Sequence, residues 1–381
     1  MFNTVPPKVL MRIPVSPNSG YGNDGIQFTM ALLKAGVDVR LHPTALAPPI
    51  PAAIAQLLTK SLDAPFDLFI NHVDPMQLEC SPEARQASVI TVAHTMWEFE
   101  SLGNLKGRST MRKRLTDFDL FLGYSETTLK AFEPYLGKTP SAMLQGGYDP
   151  DLWPYMERDW NSPRFSFIMH GNLNLRKDPH VAIQAYIELK NEYPEEFEPA
   201  EMHIHTTDPG LPKVMETVIP KFRIHYETWP IETVRQFYQS GHVLISPSHG
   251  EGKNLPCLEM LSTGGSVIAT AFSGHMNWLS DAYAYPLDCE IVPVHKAKYG
   301  EDCKWAAADR EHLKSLMMQA FRNRQEVKRK GELGAQIIPQ MCSWDRVVQD
   351  LFRTIGDKIP GKGQELQHRF DALQRERKDA R

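Results

Sequence analysis

Short apolar runs alternate with helical spacings along most of the chain. VLMRIPV (9–15), VDVRL (37–41), DLFINH (67–72), VITVAH (89–94), DLFLGY (119–124) and SAMLQ (141–145) read as strands in the first half. FSFIMH (165–170), MHIHT (202–206), FRIHY (222–226), HVLISP (242–247) and SVIAT (266–270) do so in the second. Few of these runs alternate with polar residues, which is how strands covered on both faces read. Helical spacings fill the gaps. Ile26, Met30 and Leu33 recur at i, i+4 and i+7 before the stop at Gly36. Asp178 and Pro179 look like an N-cap and a first helical residue, followed by Val181, Ala185 and Leu189. Strand and helix alternating twice over predict two doubly wound α/β domains.

The segment 146–164, GGYDPDLWPYMERDWNSP and its flanks, is rich in Gly, Pro, Asp and Asn and lacks a period, so the domain boundary falls there. The domains expected are 1–150 and 151–342. An amphipathic helix follows over 343–360, with Val347, Leu351 and Ile355 four apart, and then a charged tail over 361–381 that reads as a solvated helix.

Composition narrows the classes. The 381 residues suffice for two cores, and 42% apolar with 23% charged residues is ordinary globular usage. The formal net charge of -4 excludes a wholly basic nucleic-acid binder but not a local basic patch. No apolar run approaches the roughly 20 residues of a membrane span, and the first residues do not read as a signal peptide. The five cysteines are scattered without a CxxC, which points to a reducing cytoplasm.

The chemistry concentrates in ISPSHGEGKNLPCLEMLSTGGSVIAT (245–270). A strand ends at Pro247, a Ser/Gly loop carries Glu251, Pro256 opens a helix bearing Glu259, and Gly264-Gly265 close it. Free amides at such a helix start suit a diphosphate. Taken singly, Glu251 also reads as a surface loop acid and Glu259 as a charge on an exposed helix face. In FIMHGNLNLRKDPH (167–180), Arg176 and Lys177 sit in a strand-to-helix loop beyond Gly171, placed to neutralise phosphate oxygens or simply solvated. SPNSGYGNDG (16–25) has Gly20, Gly22 and Gly25 at GxGxxG spacing, but the second strand ends in His42 rather than the acid that holds a ribose. His94 ends a strand where strand-to-helix loops line a site, and His72 competes for the same role. Asp117/Asp119 and Asp149/Asp151 have DxD spacing but lie at a strand start and in the boundary segment. The run Lys106, Arg108, Arg112, Lys113, Arg114 reads either as a solvated face or as a contact for a polyanion or an anionic membrane surface.

Taken together, these residues resemble the retaining glycosyltransferases of the family-4 type (glycosyl transferases group 1). GEGKNLPCLEMLSTGGSVIAT resembles the family's EGxxLPxLEAMAxGxPVIAT signature, and GNLNLRKDPHVAIQAY its GRLxxxKGxxxLIxAF. The resemblance implies the GT-B architecture: two facing Rossmann-like domains, with the 343–360 helix crossing back to the first. It implies transfer of a hexose or pentose from a nucleotide-diphosphate sugar with retention of configuration. Nucleotide sugar would be held by Gly20, Gly22, Gly171, Asn254, Leu255 and Glu259, and the reaction served by His94, Glu251, Arg176 and Lys177. No metal or other cofactor is implied, and the cytoplasm, free or at an anionic membrane, is the expected location. The acceptor stays open among glycan, lipid, protein and modified DNA. Asn172 stands where the family often has Arg, which leaves Arg176 as the candidate for that cation; Lys253 and Asn254 also depart from the signature. A non-catalytic sugar-nucleotide-binding protein and a sugar phosphorylase are the readings from other classes.

Overall fold

A computed structural model describes residues 4–17, 19–103, 107–207, 223–294 and 303–380. The chain divides into two compact units. The first comprises Met1–Gly147, Val294–Cys303 and Cys342–Arg381, and the second Tyr148–Pro293 and Lys304–Met341.

The first unit is built on six parallel strands: β1 (Lys8–Val15), β2 (Asp38–Leu46), β3 (Phe66–His72), β4 (Ser88–Thr95), β5 (Leu120–Gly123) and β6 (Ser141–Met143). Their order is β2-β1-β3-β4-β5-β6. Connecting them are α1 (Gly20–Lys34), α2 (Ala52–Leu58), α3 (Pro82–Ala87), α4 (Arg108–Leu115) and α5 (Glu126–Leu136). β1 is almost continuously buried, as its apolar sequence predicts. Ser19 caps α1 by accepting from the Gly22 amide at 3.1 Å.

The second unit has six parallel strands of its own: β7 (Phe165–Gly171), β8 (Ala200–Thr206), β9 (Arg223–Tyr226), β10 (Val243–Ser246), β11 (Ser266–Thr270) and β12 (Tyr285–Leu287). Their order is β12-β11-β10-β7-β8-β9. A separate antiparallel hairpin, β13 (Cys289–Pro293) with β14 (Lys304–Ala308), was not anticipated from the sequence. The helices of this unit are α6 (Pro179–Glu192), α7 (Ile231–Ser240), α8 (Leu255–Ser262), α9 (Arg310–Arg322) and α10 (Arg324–Cys342).

Two last helices, α11 (Trp344–Lys358) and α12 (Lys362–Asp379), belong to the first unit. Val347, Val348, Leu351, Phe352 and Ile355 of α11 join its core, and Trp344 stacks on Phe28 of α1 at 5.4 Å. A Cβ on Gly147 would overlap the Trp344 ring, so the glycine makes room for it. The tail corrects one expectation. Rather than being solvated, α12 buries Leu366, Phe370 and Leu373, and Phe370 stacks on Phe352 at 4.0 Å. Its many charges occupy the outer face and mask a stripe at i, i+4 and i+7.

In each sheet the strand order reverses once, between β1 and β3 in the first and between β7 and β10 in the second. Crevices beyond the carboxyl ends of strands at such switch points are where open α/β sheets bind ligands. The loops that follow β1, β3, β7 and β10 therefore locate the candidate sites.

Candidate active site

In the second unit the switch point brings the two expected loops together. Arg176 and Lys177 follow β7, and Glu251 follows β10. Glu251, 4% exposed, has Oε1 2.6 Å from Lys177 Nζ and Oε2 3.0 Å from Arg176 Nη1. Arg176 also donates to the Gly250 carbonyl, and its own carbonyl accepts from the His249 amide at 2.8 Å. Burial pushes the Glu251 carboxyl up, but the charges of Arg176 and Lys177 outweigh it and hold it well below the usual carboxylate range. Glu251 is thus an ionised acid with two cations on it.

The segment after β11 holds this loop in place. The Glu251 carbonyl accepts from the Gly274 amide at 2.8 Å and from Ser273 Oγ at 2.9 Å. A Cβ on Gly274 would fall 2.5 Å from that carbonyl oxygen, so only glycine fits. Trp278 Nε1 donates to the Lys253 carbonyl at 2.9 Å. Asn254, with φ 69°, precedes α8, and its Nδ2 donates to Ser246 Oγ and to His275 Nε2, both at 2.7 Å. His275 Nδ1 lies 2.7 Å from the Thr270 carbonyl, so Nδ1 carries the proton and Nε2 accepts. Burial lowers the His275 pKa to about 4, which keeps this ring neutral. None of these loop-fixing contacts was anticipated from the sequence, where Asn254 stood only as a nucleotide-sugar candidate that departs from the signature.

Glu259 sits on α8, half-buried, and accepts from Tyr238 Oη at 2.7 Å. Burial lifts its pKa to about 7, against the opposing effects of Tyr238 and Lys253. The sequence offered no sign of Tyr238, because it lies on another helix. A small cleft at the ends of β7 and β10 is lined by His170, Leu173, Lys177, Ser246, Ser248 and Asn254, with Pro256 of α8. Gly171 turns the chain out of β7 with φ 119°. Leu255 opens α8, whose amide end faces the same loops. Asp178 is not the side-chain cap expected. It occupies the capping position with φ 42° and makes no cap bond; its carboxylate lies 3.5 Å from His249 Nε2 instead.

The first unit places its candidates differently. Gly20 and Gly22 lie in the first turn of α1, where a Cβ on Gly22 would overlap the Ser16 carbonyl. His94 is fully buried, with Nε2 3.0 Å from the Leu144 carbonyl and Nδ1 3.2 Å from His72 Nδ1. His72 Nε2 lies 3.4 Å from Asp24 Oδ2, and Tyr124 donates to the same carboxylate oxygen. The two competing histidines are therefore partners in one buried network at the ends of β3 and β4.

The basic run is divided. Lys106 lies outside the described residues. Arg114 donates to the carbonyls of Met76, Leu78 and Gly107, and Arg108 to that of Gly103, so both cap local backbone. Arg112 and Lys113 are exposed. Of the DxD pairs, Asp119 is engaged by Arg85 at 2.6 Å and Lys362 at 3.2 Å, and Asp149 accepts from the Asp151 amide at 3.0 Å. Among the described residues no helix is long and apolar enough to cross a membrane.

No protein-family model matches the chain, and no curated protein matches it in sequence. Its fold, by contrast, is that of solved glycosyltransferases of the GT-B architecture. Sucrose-phosphate synthase from Thermosynechococcus elongatus matches with a TM-score of 0.63 at 14% identity, over 92% of this chain and 99% of that one. A glycosyltransferase from Rickettsia africae gives 0.64 at 11% identity, over 93% and 99%. HepE from Anabaena, solved in complex with UDP-glucose, gives 0.60 at 11% identity, over 92% and 99%.

Proposed function

We propose that the protein transfers a sugar from a nucleotide-diphosphate sugar to an acceptor, with retention of configuration. The observation that carries this reading is the meeting of Glu251 with Arg176 and Lys177 at the switch point of the second sheet. Two cations and the amide end of α8 supply positive charge for a leaving diphosphate, so stabilisation is chiefly electrostatic and needs no divalent metal. Neighbours in fold carry UDP or UDP-glucose, which makes a UDP-sugar the first donor to try.

In this reading Lys177 and Arg176 hold the diphosphate, and Glu259 accepts from the ribose hydroxyls. Asn254, Leu255 and Gly171 shape the backbone around the nucleotide. Glu251 accepts from hydroxyls of the transferred sugar. The diphosphate itself takes the acceptor's proton on the face from which it departs, which is what gives retention. The first unit holds the acceptor, with Gly20 and Gly22 at its glycine turn. His94 acts there together with His72, since its ring reaches a substrate only by leaving Leu144 or His72. A phosphate-bearing acceptor, such as a lipid or modified DNA, would meet Arg112 and Lys113. The reading puts the protein in the cytoplasm.

The test is a thermal-shift screen against nucleotide sugars, followed by mass spectrometry of candidate acceptors incubated with the stabilising donor. Acceptor mass raised by one sugar residue, with release of nucleoside diphosphate, supports transfer. Sugar phosphate formed from orthophosphate without nucleotide supports a phosphorylase instead.

A further inference from the structure

Arg158 lies in the polar segment that the sequence marks as a boundary, yet it is only 7% exposed. Among the described residues its hydrogen-bond partners include no carboxylate. Nε donates to the Gly241 carbonyl at 2.9 Å, and Nη2 to the Tyr238 carbonyl at 3.1 Å. Nη1 donates to the Thr263 carbonyl at 2.5 Å and to that of Met156 at 3.1 Å, and Nη2 reaches Thr263 Oγ1 at 3.0 Å. A charge withdrawn from water without a counter-ion is costly unless dipoles replace the solvent. Here the dipoles are the ends of two helices. Tyr238 and Gly241 close α7, and Thr263 closes α8, so one guanidinium neutralises two sets of orphan carbonyls.

The glycine pair of the signature follows from this arrangement. A Cβ on Gly264 would lie 2.5 Å from Tyr155 and 3.3 Å from Arg158 Nη1. On Gly265 it would lie 2.9 Å from Arg158 Nη2 and overlap the Met260 thioether. Gly264 also has φ 88°, which a side chain disfavours. Space for the guanidinium is thus written into the motif, while the arginine itself stands a hundred residues upstream.

The two helices joined in this way are the ones that carry Tyr238 and Glu259. We propose that Arg158 is a positioning residue for the nucleotide site: by tying the ends of α7 and α8 it sets the Tyr238–Glu259 hydrogen bond. The proposal rests on the reading of Glu259 as a nucleotide contact. Burial lowers the pKa of Arg158 to about 10, so it stays charged at neutral pH. Glu259 faces Tyr238 from α7, Lys253 from the preceding loop and Cys257 on its own helix, and His170 of β7 packs on the Tyr238 ring at 5.2 Å.

The experiment uses the full chain and the nucleotide sugar that most raises its melting temperature among UDP-glucose, GDP-mannose, ADP-glucose and dTDP-glucose, whose diphosphate diesters do not titrate near neutrality. Arg158→Lys keeps the charge and loses the fork. It is expected to weaken nucleotide binding about tenfold and to move the pH midpoint of binding upward, as Tyr238→Phe does. The double variant is expected to bind no more weakly than Arg158→Lys alone, because both changes remove the same hydrogen bond. Thr263→Val, which deletes one acceptor and little volume, should shift the midpoint in the same direction by less. A lower melting temperature with unchanged affinity and midpoint in Arg158→Lys, or losses that multiply in the double variant, would overturn the proposal. Should Arg158→Lys fail to fold, an unchanged midpoint in Thr263→Val overturns it. Glu259→Gln separates the two claims. Unchanged affinity there removes the nucleotide reading itself, whereas weakened Glu259→Gln beside an unaffected Arg158→Lys removes the role of Arg158 alone.

Discussion

Glu251 Oε1 stands 2.6 Å from Lys177 Nζ, and the same carboxylate lies 3.0 Å from Arg176. The cations proposed to receive a diphosphate are therefore already neutralised in part by a buried acid. If a diphosphate binds there as proposed, it competes with Glu251 for them, and the freed acid is available to the sugar. Glu251→Gln is accordingly expected to bind free nucleoside diphosphate as tightly as the parent or more so. Turnover should fall about 10- to 100-fold, the worth of one charge-assisted hydrogen bond of about 1.5–3 kcal/mol. Calorimetry and initial rates on the same preparation check both halves. Weaker nucleotide binding in the variant would show that Glu251 contacts the nucleotide rather than the sugar.

Glu259 supplies a pH dependence. Burial lifts its pKa to about 7, so the carboxylate form is lost as pH falls through neutrality. Only the carboxylate accepts from both ribose hydroxyls. Affinity for a nucleotide sugar is expected to rise between pH 6 and 8, approaching about tenfold per unit on the acid side. Glu259→Gln should flatten the profile. The intact nucleotide sugar is the right ligand, because its diphosphate diester does not titrate in this range. A flat profile in the parent protein contradicts the assignment.

The last helix bears on stability. Phe370 of α12 is 2% exposed and stacks on Phe352 of α11. Phe370→Ala leaves a cavity in the core of the first unit and should cost about 3–5 kcal/mol. The denaturant midpoint of that unit is expected to drop while nucleotide affinity, which the proposed function assigns to the second unit, stays the same. An unchanged midpoint would mean that α12 is not docked in solution.

Much of this was legible in the sequence, for identifiable reasons. Both parallel sheets announced themselves because their strands are short, apolar and bounded by Gly, Pro and Asp; SVIAT and FSFIMH coincide with β11 and β7 to within a residue. Glu251, Arg176 and Lys177 were readable as candidates because each follows a strand end. What stayed hidden was pairing across distance. Nothing local marks Tyr238 as the partner of Glu259, or Arg158 as the clasp behind both. The boundary segment is loop, as it read, but nothing local separates its buried Arg158 from the exposed polar residues around it. The strand β12 escaped because it is only three residues long, and the hairpin of β13 and β14 because it is short and only partly buried. In α12 the charges outnumber the apolar stripe and concealed it.

The central claim is that a diphosphate sits against Lys177 in the second unit. Calorimetric titration of the parent protein and Lys177→Ala with a nucleoside and its diphosphate tests it most directly, using the base that most stabilises the protein. The account predicts that Lys177→Ala loses at least about tenfold in affinity for the diphosphate, about 1.4 kcal/mol or more, and nothing for the nucleoside. Equal losses for both ligands, or no nucleoside diphosphate bound by the parent protein at all, would contradict it.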